Sequence, residues 1–147
     1  MPDFERSLER EKSIVSWLNS ISKDASAVYL LGDVFDFWFE YKTVVPKGFV
    51  RFLGAISQLT DAGIPVYLFP GNHDLWVGKY LETECGVVVV KNAITIKLGQ
   101  ELCYLHHGDG LGPGDTGFKW MKKVFLSKFA QKAFAMIHPG IGVSFAH

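Results

Sequence analysis

Hydrophobic residues in this chain follow two spacings, one typical of helices and one typical of buried strands. The first 20 residues place apolar side chains about every 3.6 positions among charged ones, which predicts an amphipathic helix. Residues 27–31 form a short apolar run, which predicts a strand buried on both faces of a parallel sheet. Helical spacing returns at residues 47–62, and Gly63 follows where the end of a helix favours a positive φ angle.

The middle of the chain predicts a second buried strand, a short helix and a hairpin. The expected elements are a strand at residues 64–69, a helix at 76–84 and strands at 87–90, 93–98 and 102–105. Gly99 and Gln100 turn the chain between the last two strands. Helices and strands in this order predict an α/β layered domain.

A long helix is predicted at residues 118–137, after a loop at 108–115 that contains four glycines and one proline. Its polar side carries five lysines and no acidic residue, namely Lys119, Lys122, Lys123, Lys128 and Lys132. An amphipathic helix of this kind commonly packs its apolar side on a sheet. The lysines also favour an anionic neighbour, either lipid headgroups or a diphosphate, so both interpretations stay open.

Composition restricts the class of protein further. The chain has 147 residues, enough for one domain with a hydrophobic core. Apolar residues make up 48% of it and charged residues 20%, which excludes a disordered tail. Fifteen basic residues balance fifteen acidic ones, so the charge gives no reason to expect a nucleic-acid partner.

Features that report on the cell compartment predict a cytoplasmic protein. Cys85 and Cys103 are far apart in the chain and are expected to be reduced thiols that serve packing. The first residues lack the apolar core of a signal peptide. No stretch approaches the ~18 consecutive apolar residues that a membrane span needs.

Polar side chains follow three of the predicted strands. These clusters contain Asp33 and Asp36, then Asn72, His73 and Asp74, and finally His106, His107 and Asp109. Ligands of open α/β sheets bind where strands end, and this mixture of carboxylate, amide and imidazole groups suits Mn²⁺, Fe²⁺ or Zn²⁺. Taken singly, each cluster is more often an ordinary turn or a packed histidine than a functional site.

Together, the three clusters resemble the motifs of the calcineurin-like metallophosphoesterases. Residues 32–36 resemble the GDxxD motif, residues 71–74 resemble GNH(D/E), and His107 resembles the single metal-binding histidine that follows. Nearly the whole chain is similar to members that hydrolyse a nucleotide–lipid diphosphate in lipid A synthesis. The resemblance implies a layered sandwich of sheets and two-metal hydrolysis, with Mn²⁺ as the expected ion.

The resemblance also implies a role for each matching residue. Asp33 would bridge the two metals, while Asn72 and His107 would complete the protein ligands of one. His73 and Asp74 would serve catalysis, with His73 stabilising charge or donating a proton near the scissile phosphate and Asp74 fixing its orientation. The residues expected to contact substrate or to orient the ligands are Asp36, Asp109 and Asp115.

Two motifs of the family have no counterpart in the sequence. No Asp-x-His precedes Asp33, and no Gly-His-x-His pair follows His107. We therefore expect a sandwich incomplete at both ends that holds ligands for about one metal. Residues 1–115 would form a partial core and residues 116–147 would begin a helical cap. Phe125, Phe129 and Phe134 would then line a lipid groove in that cap, or simply pack the helix.

Two functions remain open at this stage. The first is an enzyme that hydrolyses a nucleotide–lipid diphosphate, with peripheral contact to the inner face of a bacterial inner membrane through the lysine-rich helix. The second is a non-catalytic remnant of the family that acts as a binding or self-associating module, because uncovered sheet edges pair with other chains. Self-association is expected in either case.

Overall fold

A computed structural model describes residues 2–109 and 116–136 of the chain. The elements in these residues are, in order, α1 (Pro2–Ile21), β1 (Val28–Leu30), α2 (Val50–Asp61), β2 (Val66–Leu68), α3 (Lys79–Cys85), β3 (Val88–Val89), β4 (Ile94–Leu98), β5 (Glu101–Leu105), α4 (Thr116–Phe125) and α5 (Lys128–Ala135). The predicted order of the first eight elements is confirmed, and so is the α/β class.

The described residues divide into two compact units, and the first contains a parallel sheet with strand order β1-β2-β3. Val28 and Leu30 are buried, and so are their partners in β2, Val66 and Leu68. The residues between them, Tyr29 and its partner in β2, are half-buried and stack with ring centroids 5.0 Å apart. The prediction that both faces are buried is therefore wrong, because the tyrosine face keeps part of its surface in solvent.

The end of α2 confirms the role predicted for Gly63. This glycine has a φ angle of +83°, which residues with a Cβ adopt only with strain. Its N–H donates to the carbonyl of Thr60, and the N–H of Ile64 donates to the carbonyl of Leu59, both at 2.9 Å. These two bonds satisfy carbonyl groups at the helix terminus and so end α2 at this point.

The start of α2 is capped by a side chain from α1. Phe49 precedes the helix and offers no side-chain cap. The carboxylate of Glu11 accepts hydrogen bonds from the N–H groups of Arg51 and Phe52, at 3.0 and 3.2 Å. A carboxylate at this end also interacts favourably with the helix dipole. Helices α1 and α2 are thus joined by a polar contact as well as by their apolar faces.

The second unit is built from the segments that follow β1 and β2 and from the chain beyond Val90. Strands β4 and β5 form the predicted antiparallel hairpin, and Gly99 in its turn has a φ angle of +62°. Residues 31–46 and 69–78 contact each other through a parallel bridge between Phe39 and Trp76. Phe35 and Trp38 are almost fully buried and form the core of this unit.

Two helix predictions are corrected by the structure. The single helix expected at residues 118–137 is two helices, because Ser127 interrupts it and its side chain accepts from the N–H of Ala130 at 3.1 Å as the cap of α5. Ile137 lies outside the described residues. The helix expected at 76–84 begins at Lys79, since Trp76 is held in the bridge to Phe39. No helix in the described ranges is long and apolar enough to cross a membrane.

Replacement of Glu11 by alanine tests the cap on α2. We expect Glu11→Ala to lower the free energy of unfolding by about 1–2 kcal/mol, because two N–H groups at the start of α2 lose their acceptor. Glu9→Ala is the control, since Glu9 is exposed on the same helix. Urea denaturation measures both variants, and an equal loss in the two would contradict the cap.

Candidate metal centre

Three donor atoms from separate segments of the second unit meet at one point. The Nε2 atom of His107 lies 3.3 Å from Oδ2 of Asp33 and 3.2 Å from Oδ1 of Asn72. Donors that share a metal with bonds of about 2.1 Å are themselves roughly 3.0–3.4 Å apart. The structure therefore brings together the three residues predicted to hold a metal, at spacings that suit a shared ion.

The orientation of His107 explains why a cation fits between these atoms. Its Nδ1 lies 2.7 Å from the backbone carbonyl of Leu31, which can only accept a hydrogen bond. Nδ1 therefore carries a proton, and in the neutral ring Nε2 faces two oxygen atoms with its lone pair. In that state three acceptors face one another, and a metal cation between them removes their repulsion.

Backbone geometry brings Asp33 to this point. Asp33 has a φ angle of +50°, a strained conformation for a residue with a Cβ. Its Oδ1 accepts from the N–H of His73 at 2.9 Å, which leaves Oδ2 to face His107. The segments also approach closely at two glycines. A Cβ on Gly32 would collide with the His107 ring, and one on Gly71 would collide with the Asp33 carboxylate.

His73 is exposed beside the three donors. Its Nδ1 lies 3.2 Å from the backbone carbonyl of Asp36, so the proton is on Nδ1 and Nε2 is left for other contacts. Asp36 therefore contacts His73 through its backbone carbonyl. The residue is exposed to solvent. This arrangement leaves Nε2 of His73 able to donate to an anionic group when that nitrogen is protonated.

Asp74 is the one buried charged residue among those described, with no exposed surface. Its Oδ1 accepts from the N–H of Gly71 at 2.6 Å, and its Oδ2 accepts from Val34 and Phe35 at 2.8 and 3.4 Å. Burial raises the pKa of Asp74, while these three hydrogen bonds lower it and the nearby charge of Asp33 raises it. The carboxylate thus joins the segment after β1 to the segment after β2.

Glu40 joins the same two segments from the opposite direction. Its Oε1 accepts from Nε1 of the buried Trp38 at 3.0 Å and from the N–H of Gly78 at 2.9 Å. Sequence reasoning did not single out Glu40, because a lone acid in a loop carries no signal of its acceptors. Its contacts depend on side chains and backbone brought together only by folding.

The remaining predicted residues have different surroundings. Asp109 pairs with Lys122 of α4 at 2.5 Å, and its other carboxylate oxygen is buried without a hydrogen-bond partner in the described ranges. Asp115 lies outside those ranges. His106 accepts from the N–H of Gly108 at 2.8 Å, and its ring lies near that of Tyr104, so it is separate from the three donors.

The donor set is unusual in containing an amide. Within residues 2–109 and 116–136, no three or more His, Cys, Asp and Glu side chains group together as a metal site. The third donor beside Asp33 and His107 is the amide oxygen of Asn72. An oxygen-rich set with one imidazole suits hard and borderline divalent cations.

The sequence as a whole matches a known family. The sequence model of the calcineurin-like phosphoesterase family matches residues 8–145 of this chain. The chain therefore belongs to the calcineurin-like phosphoesterase family, whose members use divalent metal ions. This membership confirms the resemblance inferred from the three motifs and the expectation of a divalent metal.

Several curated relatives carry the name UDP-2,3-diacylglucosamine hydrolase. The protein of this name from Porphyromonas gingivalis is 39% identical over 138 residues, which are 93% of this chain and 53% of the relative. The one from Proteus mirabilis is 31% identical over 77% of this chain and 47% of its own length. The one from Vibrio vulnificus is 30% identical over 84% of this chain and 50% of its own length. The chain thus spans about half the length of the curated relatives it matches.

Replacement of Asp74 by asparagine tests how the two segments are joined. An asparagine has one acceptor oxygen and presents an NH₂ group to a backbone N–H, so at least one buried hydrogen bond is lost. We expect Asp74→Asn to lower the free energy of unfolding by about 2–3 kcal/mol. Urea denaturation measures it against Asp24→Asn at an exposed position. A loss below about 0.5 kcal/mol would contradict the structural role of this carboxylate.

Proposed function

We propose that this chain is a metal-dependent phosphoesterase that hydrolyses a diphosphate. The observation that carries the proposal is the approach of Asp33 Oδ2 and Asn72 Oδ1 to His107 Nε2, at 3.3 and 3.2 Å. Membership of the phosphoesterase family supports the same reaction class. We propose Mn²⁺ as the ion, because carboxylate, amide and imidazole donors without a thiolate suit it.

The residues around the proposed metal have different roles in hydrolysis. A bound ion would supply an activated water and neutralise charge on the phosphoryl oxygens. Asp33 and Asn72 would hold the ion through oxygen, and the carbonyl of Leu31 orients His107 toward the same point. His73 would face the phosphate with Nε2, and when that nitrogen is protonated the ring would stabilise negative charge or pass a proton to the leaving group.

We propose UDP-2,3-diacylglucosamine as the substrate. Hydrolysis of its diphosphate would give UMP and 2,3-diacylglucosamine 1-phosphate, a step in lipid A synthesis. The proposal rests on the names of the relatives, above all the one from Porphyromonas gingivalis at 39% identity. The hydrolase is favoured over a non-catalytic remnant because the three donors keep spacings that suit a shared ion.

Replacement of Asn72 by alanine tests the metal site. Calorimetric titration of the 147-residue chain with Mn²⁺ is expected to detect binding, and Asn72→Ala should weaken it about 10–100-fold because one donor is removed. Asn92→Ala is the control, since Asn92 is exposed outside the site. Equal affinity in the two variants would exclude Asn72 as a ligand.

The reaction itself is tested in a chain of the relatives' length. In a chimera, this chain replaces the matching segment of the Porphyromonas gingivalis protein, and release of UMP from UDP-2,3-diacylglucosamine is measured. We expect Mn²⁺-dependent release by the chimera and loss of most of it with Asn72→Ala but not with Asn92→Ala. A folded chimera that binds Mn²⁺ and releases no UMP would overturn the substrate. The 147-residue chain alone is expected to be a poor catalyst.

We also propose two partners, an anionic membrane surface and a second copy of the chain. Exposed apolar side chains lie among the lysines of α4 and α5, including Trp120, Phe129 and Met136, and such a surface suits acidic lipid headgroups. This would hold the protein at the inner face of a bacterial inner membrane. Strand β1 pairs with β2 alone among the described strands, so its other edge is available to a second copy.

Vesicle flotation and light scattering test these partners. We expect the chain to float with vesicles that contain phosphatidylglycerol, and Lys128→Gln with Lys132→Gln to reduce the bound fraction several-fold because each lysine contributes roughly 1 kcal/mol near an anionic surface. Equal binding to purely zwitterionic vesicles would contradict an electrostatic contact. Light scattering should detect a dimer, and a monomer at high concentration would exclude self-association.

A further inference from the structure

Helix α4 is joined to the segment that carries His107. The ammonium group of Lys122 lies 2.5 Å from Oδ2 of Asp109, two residues after His107. Both side chains are largely buried, at 28% and 8% exposure. An ion pair shielded in this way is screened less by solvent than one on the surface. The pair therefore ties the segment that carries His107 to α4.

The same helix is joined to the segment that carries Asn72. The indole N–H of Trp76 donates to the carbonyl of Phe125 at 2.8 Å, and Phe125 is the last residue of α4. Carbonyls in the last turn of a helix have no partner inside it, so this bond caps the end of α4. The Trp76 ring also packs against Phe125, Phe39 and Phe134, with centroids 5.7, 5.2 and 4.8 Å away.

We propose that α4 is a strut that holds the Asn72 and His107 segments at the spacing a metal needs, with Trp76 and Lys122 as its positioning residues. The inference rests on the proposed metal site. Neither residue is a ligand in this proposal, and each acts through the segment to which it is joined. The two segments are far apart in sequence, and a common support lowers the entropy cost of bringing their donors together.

The coupling between metal binding and the docking of α4 must be reciprocal. If the strut favours metal binding, then metal binding favours the docked position of α4 by the same factor. Metal binding slows the exchange of all amides that open only in global unfolding, in whatever helix they lie. Helix α4 contains no candidate ligand, so any slowing there beyond this general stabilisation has to pass through these contacts. Simple packing of an amphipathic helix predicts no such excess.

Matched substitutions on the same helix separate the strut from packing. We expect Trp76→Phe, which keeps a ring but removes the N–H, and Lys122→Met to weaken Mn²⁺ binding by roughly tenfold each in calorimetric titration. The controls are Trp120→Phe and Lys123→Met, at exposed positions of α4, and they should stay within about twofold. If the wild-type chain binds Mn²⁺ and all four variants bind it with the same affinity, the strut is overturned and the metal site is left intact.

A measurement on the unmodified chain decides the question if a variant fails to fold. Hydrogen exchange of residues 116–125 is compared with and without saturating Mn²⁺. Slowing of these residues that exceeds the slowing in α2 supports the strut, and slowing equal to that in α2, or none, while Mn²⁺ is bound overturns it. Absence of any Mn²⁺ binding by the wild-type chain would instead overturn the metal site, and the strut with it.

Discussion

The buried carboxylate of Asp74 is the constraint on which the second unit depends. A charge with no exposed surface is stable only when its oxygens are fully hydrogen-bonded, and here three backbone N–H groups supply those bonds. They come from Gly71 in its own segment and from Val34 and Phe35 in the segment after β1. Asn72 lies between Gly71 and Asp74 in the chain, so the bonds that satisfy the carboxylate also position the amide donor.

The rest of the centre follows the same physical logic, in which backbone groups orient side chains. The carbonyl of Leu31 sets the tautomer of His107, and the N–H of His73 holds one oxygen of Asp33. Backbone groups of this kind have less freedom to move than long side chains, so they fix the positions and directions of the donors. The cost is local strain at Asp33, whose φ angle of +50° is tolerated at a site where position matters more than stability.

Several parts of the fold were predictable because their causes are local in the chain. Gly63 ends α2 through its own φ angle, and Gly99 turns the hairpin in the same way. The interruption at Ser127 was predictable in principle, since serine is a preferred helix cap, but the apolar spacing continues across it and favoured one helix. The tyrosine face of the first sheet was misjudged because an apolar run does not reveal how much surface its aromatic members keep in solvent.

The sequence by itself determined the order of the elements and the three clusters that identify the family, because spacing and motif are properties of neighbouring residues. Only the tertiary structure decided what each polar group contacts. The carboxylate of Asp74 meets backbone N–H groups about 40 residues away. Lys122 pairs with Asp109, where the sequence suggested lipid headgroups or a diphosphate as the anionic neighbour. Such contacts depend on which distant segments meet in space, and neither composition nor periodicity encodes which segments those are.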